Sequence, residues 1–259
     1  MEKLGRIGYA TRGIIYLILG VLAAQAAIGA GGPPEGTEAA LGAIVSQPFG
    51  QILLVLVGVG LVGYALWRGI EASFDPGDQG GEERKKQLAH RVSAGISAVS
   101  YGALAVVAFG LALGTGGGGG NSTRDWTAQV LAQPFGQWLV GLAGLAVVGG
   151  GLAFLYEAFK AKFFEKLETA RMDARVRTWA KRLGQFGIAA RGVVFVLIGG
   201  FLALAAWRSD PSEAGGLAQA LQVLASQPFG WLLLGIVALG LAAYGLYSAL
   251  IEARFRRMA

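Results

Sequence analysis

Four stretches of this chain contain no charged side chain: residues 49–67, 92–113, 135–156 and 229–251, which are 19, 22, 22 and 23 residues long. A helix of ~20 apolar residues crosses a hydrocarbon layer ~30 Å thick, so each stretch is long enough to span a membrane. A water-soluble domain of the same length would interrupt its apolar residues every few positions. Here 54% of the residues are hydrophobic, only 15% are charged, and the charges are clustered. Two further segments, 14–30 and 192–207, become full spans if the preceding turns, which carry Arg12 and Arg191, continue the helix into the interface. Arginine near a helix end can snorkel to the headgroups, so this is permitted. The first segment has counterparts later in the chain, and it is read as a retained span rather than a cleaved signal. The expected fold class is therefore all-α: a polytopic membrane protein with six transmembrane helices.

One tetrapeptide, Gln-Pro-Phe-Gly, occurs at 47–50, 133–136 and 227–230, each time at the start of a long apolar run. Anchored there, Leu4-Gly5-Arg6-Ile7-Gly8 aligns with Leu183-Gly184-Gln185-Phe186-Gly187, and Arg12-Gly13 aligns with Arg191-Gly192. The chain reads as a threefold repeat. Each copy has a first span, a polar loop, a short amphipathic stretch (39–45, 126–131, 217–224), the tetrapeptide, a second span, and a closing glutamate: Glu71, Glu157 or Glu252. The division is 1–75 for the first hairpin, 76–87 for a linker, 88–163 for the second hairpin, 164–182 for a basic segment and 183–259 for the third hairpin. The charged stretch 157–182 is expected to extend the fourth span as a cytoplasmic helix, while 75–81 and 116–120 are expected to be flexible linkers. Three hairpins pointing the same way suggest a pseudo-threefold bundle, with short interfacial helices on the outer surface, and exclude an inverted-repeat transporter.

Orientation follows from the basic residues. Of the 22 lysines and arginines, only Arg124 and Arg208 fall in the loops after the odd-numbered spans. Basic loops stay in the cytoplasm, which places both termini inside a bacterial cytoplasmic (inner) membrane. Topology accounts for the pI of about 9.7 without nucleic-acid binding. The expected partner of the basic face is anionic inner-leaflet lipid, with a membrane protein partner also open. Tryptophans at positions 126, 138, 207 and 231 fall at outer boundaries and Trp67 and Trp179 at inner ones, where indole rings anchor. The chain has no cysteine and a single histidine, His90, which excludes thiolate chemistry and multi-histidine metal or haem sites. No cofactor is expected.

The paired-helix unit, with Arg12-Gly13 at the entry of its first span, Gln-Pro-Phe-Gly at the entry of its second, and Tyr64-Ala65-Leu66-Trp67 with Glu71 closing it, resembles the bacterial domain of unknown function 1206 family. The resemblance covers nearly the whole chain and implies three helix pairs in a membrane; it brings no activity with it. The second copy departs from the pattern. Ser97 or Ala98 stands where the other copies have Arg12 and Arg191, and Gly150 stands where they have Tyr64 and Tyr244.

Candidate functional residues are few. Arg12 with Glu71, and Arg191 with Glu252, are expected to pair across the inner ends of their own hairpins, stapling them or forming an ion or headgroup site. Glu157 lacks an arginine in its own copy, and His90 or Arg91 is a candidate substitute. The tetrapeptide residues Pro48, Phe49 and Gly50, Pro134, Phe135 and Gly136, and Pro228, Phe229 and Gly230 read as structural corners: proline sets the helix start, phenylalanine anchors, and glycine permits close approach. Gln25, Tyr16 and Tyr101 are polar groups near the middle of the spans, and no acidic residue is expected at the bilayer centre, which argues against ion-coupled transport. These features suggest a non-enzymatic structural, lipid-binding or accessory membrane protein. The alternative is a channel or facilitator for a small uncharged or amphipathic solute, with a cavity lined by Gln25, Tyr16 and Tyr101.

Overall fold

The computed structural model describes residues 2–34, 36–46, 48–73, 82–114, 122–169 and 172–255. The fold is all-helical. Its main helices are α1 (Glu2–Ala27), α2 (Thr37–Val45), α3 (Gly50–Ser73), α4 (Glu82–Ala112), α5 (Ser122–Leu131), α6 (Gly136–Lys160), α7 (Ala174–Arg208), α8 (Leu217–Ser226) and α9 (Gly230–Leu246). The last continues through a π-helical turn, Tyr247–Glu252, into Ala253–Phe255. Five of these helices are long and apolar enough to cross a membrane; the apolar part of α4, Ser97–Ala112, is shorter. The linkers expected at 75–81 and 116–120 lie outside the described residues.

The long helices form a ring in chain order, and its packing is cyclic. The second helix of each copy lies most heavily on the first helix of the next: α3 on α4, α6 on α7, and α9 back on α1. Contacts within a copy are lighter, α1 with α3 and α7 with α9. Among the described residues α4 and α6, the two helices of the second copy, make no comparable contact. Five of the six seams of a pseudo-threefold ring are thus closed and one is open. The closed seams rest on small residues, because the hydrophobic effect does not drive helices together in lipid and backbones must approach closely instead. A Cβ added at Gly13 of α1 would sit 2.5 Å from the Ala249 backbone nitrogen, and one at Gly144 of α6 would sit 2.7 Å from that of Ala203.

The described residues of the tetrapeptide take matching conformations in all three copies. The Gly136 N–H donates to the Gln133 carbonyl (2.9 Å) and the Gly230 N–H to that of Gln227 (2.7 Å). Phe49, Phe135 and Phe229 all have left-handed backbone, with φ of 61°, 64° and 60°. Proline at the second position and positive φ at the third make a type II turn, in which the third position ordinarily takes glycine. Holding a phenylalanine there costs about 1 kcal/mol or more. The following glycine has no room for a side chain: a Cβ at Gly50, Gly136 or Gly230 would lie 2.3, 1.9 or 1.9 Å from a carbonyl oxygen of Val45, Val130 or Ala225. The chain therefore reverses from α2, α5 and α8 into the long helices with the ring of each phenylalanine exposed.

The basic segment differs from its expected placement. Helix α6 stops at Lys160, where Ala161 adopts φ 53°, and a 3-10 turn covers Lys162–Lys166. Residues 174–182 instead open the 35-residue helix α7. Burial explains the break: Phe163, Leu167 and Met172 pack with Tyr247 and Ile251, which folds the connection under the bundle rather than along the membrane. Trp67 also differs, being 6% exposed and donating from its indole N–H to Glu71 (3.2 Å).

Candidate functional site

All six long helices contribute side chains to one central cluster. From α1 come Tyr9, Arg12 and Tyr16, from α3 Tyr64, from α4 Tyr101, from α6 Phe154, from α7 Arg191 and Phe195, and from α9 with its π turn Tyr244, Ser248 and Glu252. Arg12 is 6% exposed. Its Nη1 donates to the Tyr64 hydroxyl (2.5 Å), its Nη2 to the Ser248 hydroxyl (3.1 Å), and Nη2 also pairs with the Glu252 carboxylate. The rings of Tyr9, Tyr64 and Tyr244 lie 4.9, 5.0 and 5.2 Å from its guanidinium carbon. Ser248 in turn donates to the Tyr9 carbonyl (3.0 Å), tying the π turn to α1.

The expected pairing of Arg12 with Glu71 is corrected by this geometry. Glu71 accepts from Arg68 one turn earlier on α3 and from Trp67, while Arg68 reaches Ser97 of α4 (3.5 Å). Arg12 takes its carboxylate from the third copy because α9, not α3, is its heaviest neighbour in the ring. A sequence signal for this arrangement exists. From Gly50 to Glu71 and from Gly136 to Glu157 is 21 residues, but from Gly230 to Glu252 is 22. The π turn absorbs that extra residue and keeps Glu252 on the inward face.

Arg191, expected to pair with Glu252, does not. Its Nη1 donates to the Tyr244 hydroxyl (2.6 Å), and the rings of Tyr244, Phe154, Tyr16 and Phe195 surround its guanidinium carbon at 4.4, 4.9, 5.1 and 5.4 Å. No carboxylate meets it among the described residues, and its buried Nε has no hydrogen-bond partner. Such faces stabilise a desolvated cation by up to about 2 kcal/mol each, so the rings carry much of the attraction that a carboxylate supplies to Arg12. Both arginines face the Tyr244 ring, so two cations share a neighbourhood with one described carboxylate, Glu252.

In the two complete copies, then, an arginine on the first helix donates to a tyrosine on the second: Arg12 to Tyr64 and Arg191 to Tyr244. The second copy lacks both partners, and its two helices are the pair with no comparable contact among the described residues. Glu157 is half-buried on α6, and Arg91 donates to the Ala72 carbonyl at the end of α3 (2.8 Å). The side chain of His90 lies outside the described residues. Of the three polar groups named for a cavity, Tyr16 and Tyr101 meet in the central cluster, wedged by edge-on contacts with Tyr244 (4.9 Å) and Tyr64 (4.6 Å), whereas Gln25 is exposed at the far end of α1.

A ring of apolar helices built from three copies of one unit, with two arginines and a glutamate in its central cluster, defines a multi-pass membrane protein. The chain belongs to the family described as Domain of Unknown Function (DUF1206), which it matches three times, at residues 7–75, 92–161 and 186–256. It is also similar to a protein of Bacillus subtilis (strain 168), named uncharacterized protein YxxB, with 37% identity over 248 residues, 96% of this chain and 89% of that protein. No solved structure matches the chain.

Proposed function

We propose that this chain is a non-enzymatic structural, lipid-binding or accessory protein of the bacterial cytoplasmic membrane, crossing it six times with both termini in the cytoplasm. The observation that supports this reading is the central cluster. Arg12 bonds simultaneously to side chains of the first and third copies, so its charge acts as an interhelical staple. The distribution of lysine and arginine supports the orientation, and it gives the cytoplasmic face an attraction for anionic lipid of about 1 kcal/mol per basic residue close to the surface.

Extraction from the native membrane in a polymer disc without detergent, followed by mass spectrometry of everything retained, tests the function. Enrichment of anionic lipid over the bulk membrane supports the lipid-binding form, and a stoichiometric protein supports the accessory form. Lipid at bulk composition with no protein partner sinks both. Because the chain has no native cysteine, Ser226→Cys and Ser73→Cys test the orientation. An impermeant maleimide added to intact cells should label the first and spare the second, and the reverse pattern refutes it.

A further inference from the structure

We propose that the open seam between α4 and α6 is a lateral groove that seats one anionic phospholipid from the inner leaflet, its phosphate on Arg191 and an acyl chain against α6. This deepens the lipid-binding reading above and rests on it.

The groove is a consequence of the repeat. On α3 the face that meets the first helix of its own copy includes Val57, Gly60 and Tyr64, and on α9 it includes Val237, Gly240 and Tyr244; all six are buried. The matching positions on α6 are Ala143, Ala146 and Gly150, followed one turn on by Ala153. Ala143, Ala146 and Ala153 are exposed, and a Cβ at Gly150 would meet nothing within 4 Å. The opposite face of the same helix is occupied, since Gly144, Val148 and Gly151 press against α7. A helix that is small-sided where its counterparts are filled, and uncovered where they are covered, leaves a slot open to the bilayer.

Charge complementarity selects the occupant. Phe154, one turn beyond Gly150 on α6, stacks on Arg191 at 4.9 Å, which places the cation beside the slot. Arg191 remains partly exposed whereas Arg12 is buried, and Arg191 has no described carboxylate while Arg12 has Glu252. The 16 residues from Gly192 to Trp207 rise about 24 Å, so Arg191 lies about 6 Å inside the inner edge of a ~30 Å hydrocarbon layer. That depth is within reach of an inner-leaflet phosphate, given that arginine side chains extend toward headgroups. A zwitterionic headgroup also has a phosphate, but it would bring a cation of its own beside two arginines that share one described carboxylate, Glu252, so a headgroup of net negative charge is favoured.

The test uses the full chain carrying Ala146→Cys, labelled with bimane and reconstituted into vesicles of phosphatidylcholine doped with brominated lipid, whose bromine quenches on contact. Brominated phosphatidylglycerol should occupy the groove about fivefold more strongly than brominated phosphatidylcholine. Arg191→Gln should reduce that preference to near one while lipid enrichment at the basic surface, read by mass spectrometry, persists. Gly150→Tyr restores the residue of the other copies without touching the charge, and it should diminish quenching by both lipids. Equal quenching by the two headgroups overturns the proposal, as does a preference that survives both substitutions. Absence of quenching by either lipid, the result expected if another helix or a second copy fills the seam, also overturns it. Loss of surface enrichment with an intact groove preference would instead overturn the attraction of the basic face for anionic lipid and leave the groove standing.

Discussion

Replacing Arg12 with glutamine should destabilise the protein by about 3–5 kcal/mol, the range seen when one partner of a buried ion pair is removed. The components can be followed from the geometry. A unit charge pair about 4 Å apart at an effective dielectric constant of 20 attracts by about 4 kcal/mol, and much of that is offset by the desolvation the glutamine no longer suffers. Lost as well are the hydrogen bonds to Tyr64 and Ser248, worth about 1 kcal/mol each, and stacking on three tyrosines. The decisive measurement is a pair of double-mutant cycles on unfolding in mixed micelles of rising SDS content, followed by tryptophan fluorescence. Arg12→Gln with Glu252→Gln should show a coupling of about 2 kcal/mol, because the two groups touch across the join between the first and third copies. Arg12→Gln with Glu71→Gln should couple by less than about 0.5 kcal/mol, because Glu71 belongs to Arg68 and Trp67. Coupling to Glu71 as strong as that to Glu252 would refute the cyclic packing from which the site is built.

Two glycines on α6 make a matched contrast. Gly144→Ala should lower stability by more than about 1 kcal/mol by pushing α7 away, whereas Gly149→Ala, whose Cβ meets nothing within 4 Å, should be neutral or stabilise by about 0.5 kcal/mol through helix propensity, read by the same unfolding assay. At the second corner, Gly136→Ala should cost at least about 2 kcal/mol because its Cβ would collide with the Val130 carbonyl. Phe135→Gly should instead be within about 1 kcal/mol of wild type, since relief of the left-handed backbone at φ 64° offsets the lost ring contacts. Tyr244→Phe removes the acceptor for Arg191 and should cost about 1–3 kcal/mol while leaving the ring contact in place, with retention on a sizing column confirming the fold.

Much of the architecture is legible in one dimension. Charge-free runs define helices by length alone, because crossing a hydrocarbon layer is a property of a segment and needs no knowledge of its neighbours. The threefold repeat is visible for a similar reason: a type II turn with no room for a Cβ at its last residue calls for the same proline and glycine at each corner, although it does not call for the phenylalanine between them. The gap in the second copy is also written there, in Gly150 and in the serine or alanine at 97 and 98. Its consequence becomes visible only when the other two copies are seen to close through an arginine donating to a tyrosine.

The partners of the charges were decided elsewhere. The sequence places Arg12, Glu71, Arg191 and Glu252 near the inner ends of spans, and proximity along a hairpin suggests pairing within each copy. Tertiary structure overrides that suggestion because the tightest helix contacts run between copies, which turns Arg12 toward α9 and leaves Arg191 among aromatic faces. Likewise, only packing shows that the single extra residue before Glu252 becomes a π turn, and that Trp67 is buried. Span, repeat and corner depend on local chemistry and could be read from residues in order. Which carboxylate neutralises which arginine, and which seam stays open, depend on how six apolar cylinders choose their neighbours, a choice made by close contact between small residues far apart in the chain.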